Sequence, residues 1–104
     1  MFSQATKTVL IVERLIQEEV LDLIEQGGAK GYTLVPGAGQ GEHGRRRASR
    51  AAVVKDFSIV RIEFIMADKN KAKAIAEKVA DTYFEQYPGI VYISDVEVIR
   101  ADKF

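Results

Sequence analysis

No cysteine occurs anywhere in the 104 residues. Disulfides and thiolate-held metal sites are therefore excluded, and the chain suits a reducing cytoplasm. A single histidine, His43, cannot assemble a zinc site, and no Ser/His/Asp or Cys/His set is available for nucleophilic catalysis. No apolar run approaches the roughly 18 residues of a membrane span. The opening stretch MFSQATKTVLIVER lacks a basic segment leading into a long apolar core, so no secretory signal is expected. Net charge is missing as well. Fifteen basic side chains balance fifteen acidic ones, and bulk charge points to neither nucleic acid nor membrane.

What remains is 47% hydrophobic and 29% charged, the balance of one globular domain over residues 1–104. A chain of this length buries only about 60–65% of its unfolded surface. Without disulfide staples it is expected to lean on partner subunits. TKTVLIVER (6–14) is a β-branched apolar run suited to a buried strand. Ile16, Val20, Leu23 and Ile24 recur at helical spacing, and QGG at 26–28 stops that helix. KGYTLV (30–35) predicts a second strand closed by Pro36. Residues 57–67 alternate, with Val60, Ile62, Phe64 and Met66 on one face and Phe57, Ile59, Arg61, Glu63 and Ile65 on the other. A long helix is predicted over 68–89, capped by Asp68, with Ala72, Ile75, Ala76, Val79 and Tyr83 as its apolar stripe and Pro88-Gly89 as its stop. The last strand is predicted over 90–100.

This order, β-α-β-β-α-β, predicts an α+β, ferredoxin-like sandwich. Two helices cover one face of a four-stranded sheet. The other face is also largely apolar, so it is expected to be buried by neighbouring subunits.

The segment GAGQGEHGRRRASR (37–50) concentrates four glycines and four arginines in fourteen residues. Its GxGxxG string lacks the apolar helix that a dinucleotide fingerprint requires after it, and no GK[ST] marks a P-loop. Two readings stay open: a solvated loop without function, and a loop that captures phosphate through backbone amides and guanidinium forks. Arg46-Arg47-Ala48-Ser49 also reads as a basophilic-kinase string. The carboxylates Glu13, Glu63, Asp95 and Glu97 lie on strands, where pairing with Arg61 is a structural role; no catalytic constellation is present, and no enzyme is expected. Tyr32, Tyr83, Phe84, Tyr87 and Tyr92 raise base stacking on a sheet, although FSIVRIEFIM lacks the glycine-aromatic pattern of that fold. The alternative function is an RNA-binding ferredoxin-like module using the arginine-rich loop.

GAKGYTLV (28–35), GQG (39–41), IEFIMADKNKAKAIAEKVADTYF (62–84) and YPGIVYISDVEVI (87–99) together resemble the PII family of trimeric signalling proteins, from about Thr8 to Ile99. The similarity is to the PII-like branch linked to bicarbonate uptake and carboxysomes, the SbtB type. The resemblance implies a homotrimer with adenine nucleotides in three clefts between subunits. It implies a T-loop at 37–55, a B-loop at 82–92 and a C-terminal tail at 100–104. Gly31 and Thr33 would lie near the adenine, Gly39 and Gly41 at the loop base, and Gly89 and Ile90 at the phosphates through backbone amides. Arg46 would reach the phosphate, and Arg100 and Lys103 would be basic tail positions. Typical PII proteins carry a lysine where this chain has Ile90, and a glutamine where Glu42 or His43 stands. Both departures favour AMP, ADP or cyclic AMP over ATP, with bicarbonate as a further ligand and no metal. The implied partner is a bicarbonate transporter or another carbon-fixation component met through the T-loop in the cytoplasm, with no nucleic acid.

Overall fold

The computed structural model describes residues 1–38, 58–100 and 103–104. Strand β1 (Ser3–Glu13) is the longest and lies inside the sheet, paired on both sides. A 3-10 turn, Arg14–Ile16, leads into α1 (Gln17–Gln26). Strands β2 (Thr33–Gly37) and β3 (Ile59–Met66) follow, then α2 (Lys69–Tyr83) and β4 (Gly89–Val98). The four strands run in the order β2-β3-β1-β4 and every pair is antiparallel. This is the expected ferredoxin-like arrangement, in which each helix returns the chain across one intervening strand.

The alternation in β3 falls as read from the sequence. Val60, Ile62, Phe64 and Met66 are buried with Leu10 and Val12 of β1 beneath both helices. From α1 come Val20, Leu21 and Ile24, and from α2 come Ala72, Ile75 and Val79. Leu23, expected on the α1 stripe, is only partly buried at the margin, and Leu21 takes its place inside.

Several boundaries differ from expectation: β1 begins at Ser3 rather than Thr6, and β2 at Thr33 rather than Lys30. Pro36 does not close β2 but sits within it, paired with Val60. The pairing is tolerated because β2 is an edge strand, where proline's missing N–H is not needed for a ladder bond. Helix α2 ends at Tyr83, not at Pro88-Gly89. The amides of Gln86 and Tyr87 turn back to donate to the Tyr83 carbonyl at 3.2 and 2.9 Å, so residues 84–88 form a tight turn and Tyr87 lies outside the helix. Strand β4 accordingly starts at Gly89 and ends at Val98, against the expected 90–100.

Asp68 caps α2 as expected, its carboxylate accepting from the Asn70 and Lys71 amides at 2.9 and 3.2 Å. At the end of α1 the chain turns through Gly28, whose φ of 102° suits glycine. No helix among the described residues is long and apolar enough to cross a membrane.

Thr8 is completely buried on β1, opposite Phe64 on one side and Ile93 on the other, and its hydroxyl has no hydrogen-bond partner. Replacing it with a methyl removes the desolvation cost of that group. Thr8→Val is expected to raise stability by about 1 kcal/mol, read as a higher urea midpoint at unchanged slope. Asp68→Ala removes both cap bonds and is expected to cost about 1 kcal/mol by the same assay.

Candidate functional site

The strand register gathers several functional candidates at one end of the sheet. Gly37 pairs with Ile59, Ile59 pairs with Glu13, and Val12 pairs with Gly89. Thus β1 leaves, β3 and β4 enter, and β2 runs out at the same rim. The Arg14 amide donates to the Ser58 carbonyl at 2.9 Å, which ties the start of β3 to the turn after β1. The glycine- and arginine-rich segment departs after Ala38 and returns before Ser58 at this rim. Gly39, Gly41, His43, Arg46 and its neighbouring arginines, together with Phe57, lie outside the described residues.

Gly89 and Ile90 open β4, an edge strand. Successive amides of a strand alternate in direction, so one of these two N–H groups faces β1 and the other faces outward. The Ile90 side chain, opposite Ile11, projects onto the sheet face away from the helices. Gly89 points the other way, toward the end of α2, and a Cβ there would lie 2.5 Å from the Phe84 ring. Sequence reasoning took Phe84 only as one aromatic among several. An aromatic five residues before a glycine at a helix–strand junction was the available signal, but periodicity does not reveal such a contact.

Gly31 and Thr33 lie elsewhere. Thr33 starts β2 on the opposite edge from β4, three strand spacings or roughly 14 Å across the sheet. Arg100 follows the far end of β4, roughly 30 Å along the strand direction from Gly89. It takes φ 69°, and its carbonyl accepts from the Lys103 amide at 3.0 Å. A single chain therefore brings Gly89 and Ile90 to the rim where the loop departs. It does not bring Gly31, Thr33 or Arg100 to them.

The uncovered sheet face carries Val35, Ile90 and Tyr92, which are 48%, 54% and 45% exposed. At its centre Arg61 Nη1 lies 3.2 Å from Glu63 Oε1. These two residues stand opposite Val35 and Thr33 on β2 and opposite Ile11 and Val9 on β1. The pairing expected for Arg61 thus falls to Glu63, while Asp95 pairs with Lys69 of α2 at 3.1 Å. Among the described residues, no cluster of three or more His, Cys, Asp or Glu could hold a metal ion.

The profile of the family described as Nitrogen regulatory protein P-II matches residues 5–103. The chain belongs to the P-II family. P-II proteins are signalling proteins rather than enzymes, and are generally trimers that contact partner proteins. Among solved structures, the chain is similar to the P-II-like protein CPII from Thiomonas intermedia K12 bound to ADP and bicarbonate. That match has 27% identity and a TM-score of 0.83, and covers 100% of this chain and 97% of the other. CPII bound to ADP, AMP and acetate matches with 26% identity and a TM-score of 0.79 over 100% and 97% of the two chains. A PII-like signalling protein from Thermus thermophilus, at 24% identity and a TM-score of 0.79 over 98% and 96%, shares the P-II fold.

Proposed function

We propose that this P-II protein is a sensor of adenine nucleotides, binding AMP, ADP or cyclic AMP in preference to ATP in clefts between the protomers of a homotrimer. Bicarbonate is a second ligand, and the output is regulation of a bicarbonate transporter or another carbon-fixation component through the arginine-bearing loop, in the cytoplasm. The observation that carries this reading is the end-to-end likeness to CPII in its ADP- and bicarbonate-bound form.

Physical arguments support it. Gly31 and Thr33 on one edge, and Gly89 and Ile90 on the other, become one site only if the edge of one protomer meets that of the next. The half-exposed apolar face gives protomers a reason to meet. Ile90 supplies no cation for outer phosphates, which favours nucleotides with fewer of them. Four arginines between Arg45 and Arg50 repel one another, and an anion between them would supply the countercharge. For the loop to signal, the ligand must bind one of its conformations more tightly than the other.

An RNA-binding use of the sheet is disfavoured. Among the described strand residues, Tyr92 is the one aromatic on the uncovered face, whose centre is the Arg61–Glu63 pair rather than a stacking platform.

In solution the mass is expected to be three times the 11.6 kDa of one chain, and Val35→Glu on the uncovered face is expected to shift it toward monomer in sedimentation. Calorimetric titration with AMP, ADP, ATP and cyclic AMP, with and without bicarbonate, is expected to detect AMP or ADP binding. Arg46→Ala is expected to weaken that binding by about ten-fold, the worth of a charge-assisted phosphate contact, with the mass unchanged. Absence of binding by all four at millimolar concentration would remove the reading.

A further inference from the structure

Gly89 is not required by its backbone. Among the described glycines only Gly28 has a positive φ, so position 89 would accept a side chain as far as dihedrals are concerned. What forbids one is space. A Cβ there would lie 2.5, 2.8 and 3.0 Å from three carbons of the Phe84 ring. Position 89 shares its side of β4 with Val91, which packs on the core. The Phe84 ring therefore stands where the side chain of residue 89 would otherwise pack.

The ring is itself well held. Phe84 caps α2, its amide donating to the Ala80 carbonyl at 3.0 Å, and it packs partly buried against the core. The turn after it is closed by the two bonds to the Tyr83 carbonyl, and the Tyr83 and Tyr87 rings lie 6.5 Å apart at 60°. The peptide entering β4 is thus pressed on one side by an aromatic plane fixed to the end of a fifteen-residue helix.

We propose that Phe84 is a positioning residue of the nucleotide site: its ring substitutes for a side chain at 89 and holds the Gly89–Ile90 backbone ready for a phosphate. The inference rests on the nucleotide reading above. A peptide already held in its binding geometry loses little freedom when the anion arrives, whereas a loosened one must be ordered at the expense of affinity. Leucine at 84 would fill less of the space and present no plane. Alanine at 89 would push the peptide off the ring.

The test is ADP affinity by calorimetry on the full chain, with melting temperature and mass measured on the same samples. Phe84→Leu is expected to weaken ADP binding about five-fold or more and Gly89→Ala about ten-fold, whereas Phe84→Tyr, which keeps the ring, stays near wild type. The two changes should couple. In the Phe84→Leu background, Gly89→Ala is expected to cost less than about three-fold, because the flexible side chain yields to the methyl. Affinities within two-fold of wild type alongside lowered melting temperatures would overturn the proposal, as would strictly additive losses. Should Phe84→Leu fail to fold, Phe84→Met serves in the same comparison. A wild-type protein that binds no ADP fails the nucleotide reading itself and this proposal with it, before any variant is made.

Discussion

Two helices are too few for four strands. They shield one face of the sheet, where Leu10, Ile62, Phe64 and Ile24 are sealed from water, and leave the opposite face with half-exposed aliphatic and aromatic side chains. A small chain without cross-links has little surplus stability to leave such area wet. The residues assigned to the proposed site are distributed over both edges of the sheet, so an assembly that buried the open face would also be needed to complete that site.

The Arg61–Glu63 pair restricts what could cover that face. Wet, as in one chain, such a pair contributes little. Covered, it must keep its partner or be replaced by an equivalent from another copy, since an unpaired charge in an apolar seam is costly. A face of aliphatic residues alone would accept many surfaces, and a central pair of opposite charges accepts few.

Much of this was legible in the residues. The period-two pattern of β3 identified its buried row because every second side chain meets the helices, and Asp68 announced a helix start because a carboxylate there satisfies otherwise unpartnered amides. Pro36 misled because its restriction is on donating a hydrogen bond, and an edge strand does not ask for that bond. The end of α2 misled because Tyr83, Phe84 and Tyr87 prolong an apolar pattern after the helical hydrogen bonds have closed on the Tyr83 carbonyl. For the site, the types of residue were readable but their separation was not. Thr33 and Gly89 were assigned to one cleft through the resemblance alone, and only strand order shows them on opposite borders of the sheet. The ring beneath Gly89 was illegible for a related reason: a through-space contact leaves no periodic trace.

The pairing of Gly37 with Ile59, backed by the bond from Arg14 to Ser58, fastens both feet of the intervening segment to neighbouring rungs of one ladder. Closing a chain between fixed feet costs free energy that grows only with the logarithm of its length. A change in the length of the intervening segment therefore costs the frame below little.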